Sequence, residues 1–294
     1  MDTASLHLFL RIADLGSVSA AARDLSLSPA SASARLAKLE EIIGFRLFNR
    51  TTRAVSLTTD GAEFLPYAQQ VLETLQTGIG AVSGQGAAAQ GLLRMTMPGS
   101  FGRMHIVPAL AEFQARHPLV SLDLRLSDEV LDVVEGAYDL IIRNAPLADS
   151  TLVARKLASD QRLLVASADY IERRGAPTTP DELSEHRCIV LADHNKWKFK
   201  TARIVSVPRS IVVNDGEAMR TLIESGMGIG IQSLWIASEH LKSGRLVQVL
   251  PDHPLATDSA LWALYPSNRI VAPKVRAMID FLLERFQPVP PWER

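Results

Sequence analysis

The sequence predicts a multi-domain chain: an N-terminal all-α head closed by a small hairpin, one long helix, and a two-lobed α/β region. Three observations carry this. The first sixty residues show short helical periods separated by capping residues. A seam of apolar residues follows between Gly61 and Ser83. From Gly91 onward, short apolar runs alternate with helical stretches, the order that builds a sheet covered by helices. A chain of 294 residues is also too long for one ordinary core. The expected bounds are 1–60, 61–90 and 91–294, with a first lobe at about 91–162 and 268–294 and a second at about 163–267.

The head is legible element by element. Leu6, Phe9, Leu10 and Ala13 recur at helical spacing over Ser5–Leu15, and Gly16 stops that helix. Ser17 is placed to cap a short alanine-rich helix, Val18–Leu25, whose small side chains let a neighbour approach. After Ser26-Leu27, Ser28 is a cap and Pro29 takes the first helical position. The third helix turns Ala32, Leu36, Leu39 and Ile43 inward and ends at Gly44. Two short helices joined by a tight turn are the outline of a helix-turn-helix. A small structural bundle is the plain alternative.

The outward face of the third helix presents Ser28, Pro29, Ala30, Ser33, Ala34 and Lys38, flanked by Arg35. Small side chains near its start would let the helix sit deep in a major groove, and Arg35 and Lys38 would reach phosphates. Phe45–Arg50 reads as a strand and Val55–Thr58 as its return, so Thr51–Ala54 becomes a wing tip. Arg50, Thr51 and Arg53 complete the expected DNA-binding set, Arg53 through a minor groove. The net charge of −1 hides a local excess of three basic residues between Arg23 and Arg53.

Here the sequence resembles the LysR-type transcriptional regulators. Phe9-Leu10, Gly16–Ala22, Leu27-Ser28-Pro29, Ser33, Leu39-Glu40, Gly44–Phe48, Arg50–Arg53, Leu57-Thr58 and Gly61 carry the resemblance. It departs at Ala34-Arg35, where the family commonly places arginine directly after the serine. The resemblance implies an N-terminal winged helix-turn-helix that binds double-stranded operator DNA.

Leu65, Ala68, Leu72, Leu75, Ile79 and Val82 follow steps of three and four, a heptad seam. It either packs on its own domain or pairs with a second chain. The resemblance implies the second, giving a homodimer or homotetramer. Ser83–Gly91, rich in glycine and alanine, reads as a hinge.

In the remainder, strands are expected at Leu92–Met97, Val120–Leu126, Asp139–Arg143, Arg162–Ser167, Ile211–Val213 and Gly228–Ile231, with Leu261–Tyr265 crossing back. Helices are expected at Phe101–His117, Glu129–Gly136, Glu217–Ser225 and Ala272–Phe286, before a tail at Pro288–Pro291. Parallel sheets are the simplest arrangement of that order. Leu93-Arg94-Met95, Asp139–Arg143, Leu152–Arg155, Val213–Ala218 and Gly226–Gly230 resemble the effector-binding domain of the same family, near its malate-responsive and adhesion-regulating members. The resemblance implies a two-lobed α/β fold of periplasmic-binding-protein type.

Ligands of such sheets lie at the carboxyl ends of the strands. The expected effector-binding residues are Gly99, Ser100, Phe101, Ser127, Arg143, Asn144, Asn214, Asp215, Gly216 and Gly230. A small organic anion would meet the helix start at Gly99-Ser100, with Arg143 as its charge partner or, alternatively, in a structural ion pair.

Rival classes find less support. Ser100 lacks the Gly-x-Ser-x-Gly elbow, and Cys188 sits in an apolar run beside Ile189 and Val190. The seven histidines form no close metal-binding pair. Gly226–Gly230 lacks the second half of a nucleotide fingerprint and reads as tight packing. No enzyme, cofactor or metal is expected. A solute-binding protein of periplasmic type is the alternative, opposed by the head and by the lack of an export signal after Met1. No membrane span is legible, and one cysteine fits a reducing cytoplasm.

Overall fold

The computed structural model describes residues 2–50, 55–82, 88–128, 138–146, 152–266 and 271–294. It divides into two compact units, residues 1–88 with 270–273, and residues 89–269 with 274–294.

In the first unit, α1 (Thr3–Leu15), α2 (Val18–Asp24) and α3 (Pro29–Ile43) follow the capping signals. Ser17 Oγ accepts from Ala20 N–H and Ser28 Oγ from Ser31 N–H, at 3.2 and 3.1 Å. Gly16 and Gly44 end α1 and α3 at φ 61° and 92°, where side chains are strained. Phe9 anchors the core, its ring 5.4 Å from Phe48 and 5.5 Å from Phe64.

The hairpin is shorter than expected: β1 is Phe48–Arg50 and β2 Val55–Leu57, antiparallel. Glu40 explains the late start. Its carboxylate is buried and accepts from Leu47 N–H at 2.8 Å and Phe48 N–H at 3.4 Å, so the chain is held before pairing begins. Thr58 then turns the chain into α4 (Thr59–Val82), donating from Oγ1 to Arg46 O and accepting from Gly61 N–H. The seam on α4 divides. Ala68 and Leu72 are buried in the head's core, whereas Leu75 and Ile79 are exposed, as are Tyr67 and Val71.

The second unit holds two five-stranded sheets. The first runs β4-β3-β5-β14-β6, from β3 (Gly91–Met97), β4 (Val120–Leu126), β5 (Leu140–Ala145), β6 (Leu152–Ser159) and β14 (Ala260–Pro266). The second runs β11-β8-β12-β7-β13, from β7 (Arg162–Ser167), β8 (Cys188–Leu191), β11 (Ile211–Val213), β12 (Ile229–Ser233) and β13 (Leu246–Gln248). A separate hairpin pairs β9 (Lys196–Lys198) with β10 (Ile204–Ser206). Cys188 is buried, as its apolar run predicts, and burial pushes its thiol up to about 12.

The sheets correct the parallel expectation. β3 pairs β4 and β5 in parallel, but β14 is antiparallel to β5 and β6, and β7 to β12 and β13. The reason is the crossover: β6 passes into β7 through Asp160-Gln161 alone, with no helix to return the chain. The second lobe also ends earlier than residue 267, because β14 already lies inside the first sheet.

The helix expected over Phe101–His117 is broken. It comprises α5 (Gly99–Phe101), a π turn at Gly102–Ile106, a 3-10 turn at Val107–Ala109 and α6 (Leu110–Arg116). Pro108 lacks the N–H that a continuous ladder requires. The other helices are α7 (Ala168–Arg174), α8 (Gly216–Glu224), α9 (Leu234–Lys242) and α10 (Pro273–Phe286). Beyond the expected tail, Trp292 is buried against Phe101, His105 and Phe286. The helix expected at Glu129–Gly136 lies outside the described residues, as do the wing tip and most of the hinge. Among the described residues, no helix is long and apolar enough to cross a membrane.

Candidate functional site

Two regions of the chain gather the expected site residues. In the head, the start of α3 is largely open: Ser28, Pro29, Ala30, Ala34 and Lys38 are exposed, and Ser33 and Arg35 are half-buried. The opposite face packs on α1 and α2 through Ala32, Leu36 and Leu39. Pro29 has no N–H, the cap takes that of Ser31 and the Ser28 carbonyl that of Ala32, which leaves the Ala30 N–H at the exposed helix start. Ser31 and Ala37 are exposed as well and belong to the same face, although sequence reasoning passed over them. Thr51 and Arg53 lie outside the described residues, and so does the Arg50 side chain.

The second region is the cleft between the two sheets. Ser100, Asp215 and Gly216 do meet there, but they meet each other. Ser100 is buried, and its hydroxyl donates to Asp215 Oδ2 at 3.4 Å. A Cβ on Gly216 would lie 2.8 Å from Ile236 Cδ1 and 3.5 Å from Ser100 Oγ, so glycine permits this approach. Arg103 completes the closure, donating from Nε to Glu217 at 2.7 Å and from Nη2 to Asp215 at 3.2 Å. The Glu217 hydrogen bond is the main cause that raises the Arg103 guanidinium above its usual value.

Gly99 N–H donates to the Asp128 carboxylate. Desolvation of that carboxyl, then repulsion from Asp215, holds Asp128 above the usual carboxylate range. Arg143 is half-buried and donates to the Ile142 carbonyl. Desolvation lowers its guanidinium, while Asp128 supplies the opposing charge. The helix start expected to receive an anion is thus occupied by the protein's own carboxylates, and Arg143 has an internal counter-charge.

Two expected residues are packed inside the protein. Phe101 is fully buried among His105, Trp235, Phe286 and Trp292. Gly230 sits in β12, and a Cβ there would lie 2.7 Å from both Ile223 Cδ1 and Met219 Cε. Its absent side chain makes room for α8, in keeping with the tight-packing reading of that glycine run. Asn214 is exposed, and Ser127 is half-buried, its N–H donating to the Met97 carbonyl.

Open space lies elsewhere in the cleft. A cavity of about 410 Å³ is walled by Asn144, Ala145 and Pro146 of the first lobe and by Arg162, His194 and Lys196–Lys198 of the second. Thr257, Asp258 and Ser259 close it where the chain returns to β14. Of the expected residues only Asn144 reaches it, and its Oδ1 is buried without a hydrogen-bond partner. The basic residues were missed. Their one sequence signal is Lys196-Trp197-Lys198: alternation along β9 turns Trp197 inward and sets both lysines on the other face. Among the described residues no cluster of three or more His, Cys, Asp or Glu could hold a metal ion.

Comparison with known proteins gives concordant matches. Residues 3–62 match the family described as "Bacterial regulatory helix-turn-helix protein, lysR family", and residues 86–287 match the "LysR substrate binding domain". An HTH-type transcriptional regulator of Xanthomonas campestris pv. campestris is 36% identical over 288 residues, covering 95% of this chain and 83% of that protein. The HTH-type transcriptional regulator DmlR of Escherichia coli is 32% identical, with 96% and 93% covered. Among solved structures, CrgA of Neisseria meningitidis, titled a LysR-type transcriptional regulator, aligns with a TM-score of 0.62 at 28% identity. That alignment covers 97% of this chain and 98% of CrgA.

Proposed function

The chain belongs to the LysR family of DNA-binding transcriptional regulators with a ligand-binding regulatory domain, and on that premise we propose how its parts divide the work. The start of α3 enters the major groove of an operator. The observation that carries this is its exposed, small-residue face, capped by Ser28 and bordered by Arg35 and Lys38. Ala30, Ser33 and Ala34 approach base edges; Arg35, Lys38 and the hairpin residues Arg50, Thr51 and Arg53 serve phosphates and the adjoining minor groove.

A second copy covers the exposed stripe Tyr67, Val71, Leu75 and Ile79 on α4. Its four-residue spacing is that of one helix face, and pairing two heads matches a two-fold-related site. The effector is a small organic anion held in the 410 Å³ cavity, where Arg162, Lys196 and Lys198 outnumber Asp258. Anion binding favours one arrangement of the lobes, and α4 passes that preference to the heads. No catalytic step belongs to this reading, and the protein works in the cytoplasm.

Capture of sheared genomic DNA across a salt series tests it. A few fragments enriched at moderate salt, sharing a two-fold-related core, are expected. Sequence-blind capture lost on slight salt addition would leave charge attraction alone.

A further inference from the structure

The crossover between the lobes carries a buried charge. Asp160 is 2% exposed; its Oδ2 accepts from Arg162 Nε at 2.9 Å, and its Oδ1 has no hydrogen-bond partner. That bond fixes the guanidinium through its Nε–H and leaves the two Nη groups for other oxygens. Arg162 lines two cavities. One is the 410 Å³ space already described. The other is smaller, about 250 Å³, and lies where β7 and the segment after β13 meet the chain beyond β9.

The smaller cavity is framed by backbone contacts rather than loose side chains. Val249 N–H donates to Leu164 O at 2.8 Å, Lys200 N–H donates to Pro254 O at 2.9 Å, and Phe199 bridges Leu255. Leu250, in its wall, holds φ at 51°, a conformation that costs a leucine free energy. Arg162, Lys200 and His253 line it together with Gln161 and Gln248. No carboxylate lines it. Lys200 and the Nη groups of Arg162, whose Nε is already paired with Asp160, put cationic groups on a wall that no carboxylate lines, and such a space favours a small anion.

We propose that this second cavity binds a small oxyanion, a carboxylate or phosphate no larger than acetate or inorganic phosphate, between Lys200 and Arg162. Because one guanidinium walls both cavities, an anion here weakens binding of an anion in the larger one. Linkage makes the effect reciprocal.

Calorimetric titration of the full-length protein with inorganic phosphate, and separately with acetate, at constant ionic strength tests this. At least one is expected to saturate, with affinity lowered about tenfold by Lys200→Gln and by Arg162→Gln. Lys196→Gln, on the wall of the larger cavity alone, is expected not to weaken it, because losing an anion there only relieves the coupling. If neither anion saturates below about 10 mM, or if Lys196→Gln weakens binding as much as Lys200→Gln, the proposal is overturned. Circular dichroism confirms that each variant is folded. DNA capture by the same protein reads the regulator assignment separately, so the two can fail independently.

Discussion

Glu40 and Asp128 are both carboxylates near backbone N–H groups, yet their surroundings give them opposite effects. Glu40 is buried and satisfied, taking Leu47 and Phe48 N–H at the entrance to the wing. Glu40→Ala orphans those donors and is expected to cost about 2 kcal/mol in urea unfolding. Gly61 packs against the same turn: a Cβ would lie 2.1 Å from Leu47 O, so Gly61→Ala is expected to destabilise by about 2 kcal/mol or more. Asp128 is held above its usual range by desolvation and Asp215. Its folded state therefore binds a proton more readily than the unfolded chain. Stability from this group is present at low pH and falls as pH rises from the ordinary carboxylate value through the raised one. Asp128→Asn keeps an acceptor for Gly99 and is expected to be more stable than the parent near neutral pH. The difference should vanish at about pH 3, which urea unfolding at the two pH values reads.

At the level of elements, α3 and α4 each present one face to the head and leave another bare. Lys38 lies on the bare face of α3. Lys38→Gln is expected to weaken binding to every DNA sequence alike and to reduce the salt slope by about one per head, read by fluorescence anisotropy. On α4 the apolar seam serves two purposes: Ala68 and Leu72 fill the head's core, while Leu75 and Ile79 remain 43% and 54% exposed. Replacing both Leu75 and Ile79 by Glu is expected to yield monomers in sedimentation velocity with the helical content of the head retained. An unchanged sedimentation coefficient would assign pairing to another surface. The heptad pattern is legible in sequence, but its division is not. A period of 3.5 residues marks which side of a helix is apolar, not where along its length the domain stops covering it.

Across the regulatory unit, side chains from both lobes and the C-terminus meet in one aromatic cluster. Phe101 lies 5.3 Å from Trp235, His105 lies 4.7 Å from Trp292, and His105 Nε2 is 2.9 Å from the Trp235 carbonyl. Burial lowers the His105 imidazole below its usual value, so the unfolded chain protonates first on acidification. Stability from this group is complete above the ordinary histidine value near 6.5 and is lost as pH falls from there through the lowered value. His105→Gln, which keeps a donor for Trp235, is expected to flatten that acid limb in thermal unfolding. His186, also lowered by burial, acts in the same direction. The sequence by itself determined the head almost entirely: Ser17, Ser28, Pro29, Gly16 and Gly44 act within a turn of their own positions, so short-range chemistry sets those helices. It also determined most strands of the two lobes, because apolar runs record burial. Only the tertiary structure decided which charges meet. Ser100 and Asp215 are 115 residues apart, and Arg103 and Glu217 are 114 apart. Their juxtaposition depends on a crossover that reverses β7 and on strand registers between distant segments. For the same reason the strand-end rule pointed to Arg143, which lies in the field of Asp128, and passed over Arg162, whose Nε Asp160 holds. A cation's partner is set by whichever chain folds beside it, and no local pattern encodes that.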